Sequence, residues 1–205
     1  MIHYSLSDIQ SMDKIFRLNL INSCTGFKSA NLLASRSKDG ISNVAVFSSI
    51  THLGSNPPLL GFVLRPTTVP RNSFDNIKNT QFFTVNHIHK EIIADAHHTS
   101  AKYPGEISEF DKTNLFEEYK DDFYAPYVQG ARIQMGCKYV NDYFLKENGC
   151  LLVVAEIEHV YVKEAAQLPD GFLSLEIAET VTVNGLDGYA LPKLIERFEY
   201  ARPKK

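Results

Sequence analysis

Short hydrogen-bond donors and guanidinium groups are concentrated around the turns between positions 43 and 86. The set comprises Ser48, Ser49, Thr51, Arg65, Thr67, Thr68, Arg71, Asn72 and Ser73. Proteins commonly bind phosphate monoesters with such a mixture, because guanidinium groups match the charge of the phosphate and hydroxyl and amide groups donate to its oxygens. Ser73 also opens a predicted helix, whose first amides favour an anion. The same residues are typical of ordinary turns with solvated arginines, so both interpretations stay open at this point.

Other chemical signals in the sequence are weaker. His87 and His89 would share one face of a strand, as a pair of metal ligands does, but no further ligand set accompanies them and we predict no metal site. The chain has no Gly-x-Ser-x-Gly, His-Glu-x-x-His, Gly-x-x-x-x-Gly-Lys-Ser/Thr or Gly-x-Gly-x-x-Gly motif. The sequence therefore leaves the catalytic residues unknown and argues against a dinucleotide-binding Rossmann domain.

Composition limits the class of protein. The 205 residues carry a net charge of −3, so no basic field is present to attract nucleic acid or an anionic membrane surface. Cys24, Cys137 and Cys150 are widely spaced and fit neither a disulfide framework nor a zinc site. No segment approaches the roughly 20 consecutive apolar residues of a membrane span, and none has the pattern of a signal peptide. We expect a cytoplasmic protein with reduced cysteines.

The elements that must position the donors are mostly strands. Asp39-Gly40 lies between two strand-like runs, which predicts a β-hairpin. The prolines of Asn56-Pro57-Pro58 and of Thr67-Thr68-Val69-Pro70 predict breaks, the second one a loop. We predict strands over residues 29–37, 42–50, 59–64, 81–87, 131–145, 151–162 and 180–184, and helices over residues 71–79 and 90–101.

The predicted organisation is one domain over residues 1–205. An N-terminal segment (about 1–24) precedes a barrel core (about 25–165), and a C-terminal extension (about 166–205) follows. Residues 100–122 form a long polar stretch, and loops of that length tend to be functional lids or interfaces. The strand–loop–strand pattern favours a mostly β fold, a barrel with a few flanking helices.

Four motifs occur in one order along the first half of the chain. Asp39-Gly40-Ile41-Ser42-Asn43-Val44-Ala45-Val46-Phe47-Ser48-Ser49 is followed by Asn56-Pro57-Pro58-Leu59, then Asn76-Ile77, then Phe82-Phe83-Thr84-Val85-Asn86. This series resembles the flavin reductase-like, FMN-binding split-barrel family, which includes flavoredoxins. The resemblance is good over about residues 25–90 and looser beyond, and it implies a Greek-key-like split β-barrel.

The resemblance also implies where FMN is held. The end of the second hairpin strand would line the flavin ring with main-chain and hydroxyl groups, and the following loop and helix start would hold the phosphate. The implied ring residues are Asn43, Ala45, Val46, Phe47, Ser48 and Ser49, and the implied phosphate residues are Arg65, Thr67, Thr68, Asn72 and Ser73. Many relatives have Asp where this chain has Asn72, and the change removes a negative charge beside the phosphate.

The function implied by the resemblance is an FMN-dependent oxidoreductase that takes electrons from NADH or NADPH and passes them to oxygen, a partner oxygenase or another acceptor. The alternatives are a flavoredoxin-like carrier without efficient nicotinamide turnover, and a barrel that binds another phosphorylated ligand. His87 or Lys102 would border the flavin or nicotinamide pocket. The resemblance implies a homodimer with FMN near the subunit interface. Tyr189 or Tyr200 of one chain could reach the flavin of the other, but these tyrosines are equally typical of ordinary packing of a terminal segment.

Overall fold

The computed structural model describes residues 1–68 and 71–203 of the chain. Its helices are α1 (Leu6–Ser11), α2 (Lys14–Cys24), α3 (Asn72–Thr80) and α4 (Ile93–His98). Its strands are β1 (Lys28–Ser29), β2 (Asn31–Arg36), β3 (Ser42–Phe47), β4 (Thr51–Ser55), β5 (Pro58–Leu64), β6 (Phe82–His87), β7 (Glu117–Glu118), β8 (Tyr127–Val128), β9 (Ile133–Leu145), β10 (Cys150–Val162), β11 (Thr182–Asn184) and β12 (Gly188–Ala190). Strands predominate, which confirms the predicted mostly β fold.

Seven of these strands form one antiparallel sheet in the order β3-β2-β6-β9-β10-β5-β4. The two outer strands, β3 and β4, follow each other in the chain, so the sheet curls back on itself at the connection 48–50. Ser49 closes this corner, because its hydroxyl both donates to the carbonyl of Val63 and accepts from the Val63 amide. The result is a split barrel whose first and last strands meet through one short connection.

The Asp39-Gly40 turn confirms the predicted hairpin. Gly40 has a φ of 87°, a left-handed conformation that glycine adopts without strain. The Gly40 amide donates to the carbonyl of Ser37, and the Ser37 amide donates to the carbonyl of Ile41. This turn fixes the register of β2 and β3, in which Asn43 lies opposite Ser35 and Phe47 opposite Asn31.

Alternation along the strands fills the barrel interior. Leu33 on β2, Val85 and Phe83 on β6, and Phe62 on β5 are fully buried in one cluster. The rings of Phe62 and Phe83 meet edge to face, with centroids 5.6 Å apart. Each aromatic side chain on this inner face therefore contributes mainly to the core, as strand alternation predicts.

The outer face of β2 and β3 carries a second core. Leu32, Ala34 and Val44 pack there against Phe110 and Leu115 of the segment that follows α4. That segment belongs to the stretch predicted as a long polar loop. It contains a 3₁₀ turn at Glu109–Lys112 and the short strands β7 and β8, so it covers the sheet instead of extending into solvent.

Other sequence predictions also differ from the structure, and α1, α2, β7, β8 and β12 were not predicted. The helix predicted over residues 90–101 is a 3₁₀ turn (Lys90–Ile92) followed by the short α4, which ends near Thr99. Strand β4 was not predicted, because a five-residue segment with His52 and Gly54 lacks strand-like alternation. No helix within residues 1–68 and 71–203 is long and apolar enough to span a membrane.

Candidate functional site

A buried polar corner lies where α3 meets the first half of β3. The side-chain amide nitrogen of Asn43 (Nδ2) donates to the hydroxyl of Ser73 over 2.9 Å, and the two residues are only 7% and 8% exposed. One step away, Asn76 of α3 donates to the hydroxyl of Ser35 over 3.2 Å. These contacts dock α3 on the hairpin, and they bring together two predicted site residues, Asn43 and Ser73.

The start of α3 is suited to an anion. In the described part of the chain, no side chain caps this end of the helix. Because Ser73 accepts its bond from Asn43, its own hydroxyl proton is available for a further acceptor. Asn72 is half-buried, and its side chain lies against Gly105, where an added Cβ would come within 3.4 Å of the Asn72 amide oxygen. The loop around Gly105 therefore borders the same helix start.

The other predicted phosphate residues are less enclosed. Arg65, Thr67 and Thr68 are exposed on the segment that leads from β5 to α3. The predicted Thr67-Thr68-Val69-Pro70 loop falls partly on Val69 and Pro70, which lie outside the described residues. Arg71 Nε donates to the carbonyl of Pro66 over 3.4 Å, which holds this segment near the start of α3.

The free edge of β3 carries a carboxylate contact that the sequence did not indicate. The amide of Val44 donates to Glu109 Oε2 over 3.1 Å, and Glu109 is only 6% exposed. Burial raises the pKa of this carboxyl group, while its backbone hydrogen bonds act in the opposite direction. Since the main-chain groups of an edge strand alternate in direction, those of Val46 also point away from β2.

The second half of β3 and the connection after it are half-buried. Alternation places Ala45 and Phe47 on the inner face, and the Phe47 ring packs inside the barrel, 5.3 Å from Phe62 between ring centroids. Ser49 uses its hydroxyl on the backbone of Val63. Ser48, the neighbour of Ser49, stays half-buried.

His87 and Lys102 occupy different environments. His87 lies at the end of β6, opposite Asn31, and its Nδ1 is 3.4 Å from the Thr180 hydroxyl. Burial lowers the pKa of His87 to about 4, so its ring is neutral at physiological pH. Lys102 is exposed on the loop that contains Gly105. Lys102 thus lies three residues before the glycine that borders the start of α3, whereas His87 lies level with Phe47, at the other end of β2 from the residue that faces Asn43.

Asn31 is a second residue that sequence reasoning missed. It is 2% exposed, and its Nδ2 finds no acceptor within the described residues. The β2 register sets it between Phe47 of β3 and His87 of β6 on the inner face. A buried amide without a partner is costly. Its position directly before Leu32-Leu33-Ala34, a run of apolar strand residues, gave no sign that its amide would be buried without a partner.

Two clefts lie outside the predicted site. One of about 370 Å³ is formed around Arg36, Tyr119 and Tyr124, and the other, of about 350 Å³, around Lys120, Arg132 and Lys163. Arg132 is held by ion pairs to Glu91 and Glu179. Within residues 1–68 and 71–203, no group of three or more potential metal ligands comes together.

Comparison with known proteins identifies the family of this chain. Residues 27–174 match the model of the flavin reductase like domain. A split-barrel protein of Shewanella frigidimarina classed as a flavin reductase is 41% identical, with a TM-score of 0.95 over 98% of this chain and 100% of the other. Flavoredoxin of Desulfovibrio vulgaris shares the fold at 16% identity, with a TM-score of 0.73 over 85% of this chain and 92% of the other.

Further relatives extend this likeness. Nitrilotriacetate monooxygenase component B of Bacillus cereus shares the fold at 22% identity, with a TM-score of 0.82 over 97% of this chain and 98% of the other. An uncharacterized protein of Aquifex aeolicus is 31% identical over 104 residues, which are 50% of this chain and 53% of that protein, so the chain spans about half the length of this relative. Because the family model matches residues 27–174, well over half of the chain, the protein belongs to the flavin reductase-like domain family.

Proposed function

We propose that this protein binds FMN and acts as an FMN-dependent oxidoreductase with NADH or NADPH as the electron donor. When bound, FMN supplies the redox chemistry, because its ring accepts a hydride and returns electrons to an acceptor. The chain itself then has to bind the phosphate, orient the ring and limit access of water. An acid–base pair is not required for these tasks.

The observation that carries this proposal is the corner of Asn43 and Ser73 at the uncapped start of α3. The Ser73 hydroxyl, the second proton of the Asn43 amide and the first amides of the helix are all donors, as a phosphate monoester requires. Arg71, whose side chain is tied to the segment before α3, is the nearest guanidinium group in sequence. The donor set therefore fits the phosphate of FMN.

The edge of β3 fits the flavin ring. Glu109 already accepts the hydrogen bond of the Val44 amide, and the next outward-facing main-chain groups belong to Val46. A flavin ring carries hydrogen-bond donors and acceptors along one edge, so the strand edge at Val46 is suited to orient it. The half-buried Ser48 adds a hydroxyl at the same strand end.

His87 would act as a neutral group in such a site. Its pKa of about 4 means that it cannot supply a positive charge to an anionic ligand near neutral pH. Lys102, on the exposed loop beside the start of α3, is a cation that this part of the chain can bring to a phosphate in addition to Arg71. These assignments predict that Lys102→Ala weakens FMN binding and that His87→Ala changes it less.

The acceptor and the assembly are also part of the proposal. One structural neighbour is a monooxygenase component B, which supports a partner oxygenase as an electron acceptor.

We further propose a homodimer with FMN near the subunit interface, where the exposed Tyr200 of one subunit is free to reach the other. The free thiols of Cys24, Cys137 and Cys150 support a cytoplasmic location.

A direct test is the visible spectrum of the purified protein, followed by titration with FMN and with riboflavin. We expect flavin absorbance and an affinity for FMN that exceeds that for riboflavin, because only FMN has a phosphate for the corner of Asn43 and Ser73. No binding of either flavin would disprove the proposal. Equal affinities would still support flavin binding but would reject the corner of Asn43 and Ser73 as the phosphate site.

The alternative of a flavoredoxin-like carrier is favoured by the likeness to flavoredoxin. Steady-state oxidation of NADH and NADPH in the presence of FMN separates the two functions. Rapid oxidation supports the reductase, and bound FMN without nicotinamide oxidation supports the carrier. Titration with pyridoxal phosphate against FMN tests the third possibility, a barrel for another phosphorylated ligand.

A further inference from the structure

The N-terminal helices are well specified locally but hardly packed. Ser5 and Asp8 form a reciprocal capping box at the start of α1, and the Asp13 carboxylate accepts from the amides of Ile15 and Phe16 at the start of α2. Every residue of both helices is nevertheless at least partly exposed. We call residues 6–24 the N-terminal arm.

The apolar residues of α2 are spread around the helix axis. At 100° per residue, Ile15, Phe16, Leu18, Leu20 and Ile21 point in different directions instead of forming one stripe. Ile15 is 61% exposed and Phe16 is 52% exposed. Polar residues lie between these apolar ones, so α2 has no single apolar stripe to pack against its own barrel, and an isolated helix of this length is only marginally stable in water. The arm therefore needs a covering surface beyond its own chain.

The surface area of the chain supports the same conclusion. A folded monomer of 23.1 kDa is expected to expose about 9,700 Å². This chain exposes 12,865 Å², about 3,200 Å² more than that expectation. Obligate homodimers bury on the order of 2,000–5,000 Å² in total, shared by the two subunits. The surplus on each chain is thus large enough for an extensive interface.

The C-terminal tail adds to this surplus. Residues 191–203 have no regular secondary structure, and their large apolar side chains are exposed: Leu191, Leu194, Ile195, Phe198 and Tyr200. Arg197 attaches the tail to its own chain, because it pairs with Asp170 and lies over the ring of Phe172. Both termini therefore present apolar surface that the barrel leaves uncovered.

We propose that the N-terminal arm docks on a second copy of this chain and forms the main apolar contact of the homodimer. A permanently exposed apolar arm needs a partner that is present whenever the chain is made, and a second copy meets this condition. The exposed apolar side chains of α2 also suit the apolar core of a homodimer interface. The inference deepens the proposed function, since it names the segment that makes the dimer.

The arm also connects the interface to the flavin site. It leads directly into β1, where the Ser29 hydroxyl donates to the carbonyl of Ile50 at the connection after β3. A subunit held by the arm is therefore expected to approach the half-buried strand end at Phe47–Ile50. Lys28 Nζ, which donates to the carbonyl of Asn22, fixes the arm to β1.

The test compares a double substitution, Ile15→Asp with Phe16→Asp, and the control Lys14→Asp. Both variants change the net charge by the same amount in the same first turn, where a carboxylate suits the helix dipole. Sedimentation equilibrium without added flavin should show dimers for the wild type and the control. The dissociation constant of the double variant should rise by about 100-fold or more, because apolar contacts are lost on both subunits.

A monomeric wild type, or a double variant that dimerises as tightly as the control, would overturn the inference. If the double variant does not fold, amide hydrogen exchange of the wild type gives the answer: residues 14–24 should be protected at high protein concentration and exchange faster on dilution. Equal exchange at both concentrations would also overturn it. FMN titration of the same samples is read separately, so a failure to bind flavin rejects only the proposed function.

Discussion

The two ends of β3 differ in how completely the chain itself surrounds them. At the amino end, Asn43 is bonded to Ser73 and the Val44 amide to Glu109, and all four residues are buried. At the carboxyl end, the residues from Phe47 to Ile50 are half-buried. The amino end is organised by side chains of the chain itself, whereas the carboxyl end is left partly open.

The difference follows from the elements that flank each end. Helix α3 and the 3₁₀ turn at Glu109–Lys112 cover the amino end from two sides, while β1 and Ser29 border the carboxyl end. In the proposed function, a single chain therefore supplies the phosphate site, and the ring site depends on the ligand and on the second subunit. Each substitution below tests one end against the other.

The largest effect is expected for Asn43→Asp. This change places a carboxylate in the buried corner, where like charges about 4 Å apart repel by about 4 kcal/mol at an effective dielectric constant of about 20. We expect the affinity for FMN to fall by about 100-fold or more and the affinity for riboflavin to fall much less. Fluorescence titration with both flavins measures this ratio.

The matched control for Asn43→Asp is Asn141→Asp, the same change at an exposed position of β9. The control should bind both flavins as the wild type does. A loss of equal size for FMN and riboflavin in the Asn43 variant would show that the corner does not hold the phosphate.

Replacing Glu109 is expected to have the next largest effect. In Glu109→Ala the buried Val44 amide loses its acceptor, which costs about 1–3 kcal/mol of stability. Glu109→Gln keeps a carbonyl oxygen in place and should be close to the wild type in flavin affinity. Urea unfolding and FMN titration of the two variants check this order; equal loss in both would mean that the charge, and not the hydrogen bond, is required.

The pH dependence of stability gives a smaller and more specific signal. Burial raises the pKa of Glu109 above its ordinary value of 4.5, so the folded state favours the protonated carboxyl group. The contribution of Glu109 to the free energy of unfolding is therefore most favourable below pH 4.5 and declines as the pH rises through the folded-state pKa of this group. Glu109→Gln should melt higher than the wild type at neutral pH, and the difference should shrink towards pH 4. A constant difference in melting temperature would contradict this assignment.

The parts of the fold that sequence could predict are those with a local signal. The Asp39-Gly40 turn, the strand that ends at Leu64 and the helix that begins near Arg71 are confirmed within about one residue, since turn glycines and prolines mark their ends, whereas the returning hairpin strand ends three residues earlier than predicted. Glu109 was missed, because a glutamate in a polar stretch gives no sign that it is buried against an edge strand. The division at residues 24 and 165 stays a prediction.

The candidate site, like the fold, could be predicted only where its residues give a local signal. The order of motifs pointed to the region of Asn43 and Ser73, and the structure brings these two together. The motif could not separate Ser48 from Ser49, because their roles depend on which strand each hydroxyl meets after the sheet closes. The pairing of Ser49 with Val63 spans 14 positions in the chain and leaves no local trace.

The smallest effects are expected at Ser48 and Ser49. Substitutions at these two serines separate closure of the barrel from binding of the flavin. Ser49→Ala removes two hydrogen bonds to Val63 and should cost about 1 kcal/mol of stability while leaving FMN affinity nearly unchanged. Ser48→Ala should do the opposite, with little change in unfolding and a several-fold weaker affinity for FMN. Urea unfolding and flavin titration on both variants measure the contrast. If Ser49→Ala weakens FMN binding as much as Ser48→Ala does, closure of the barrel and orientation of the ring are one function of this strand end.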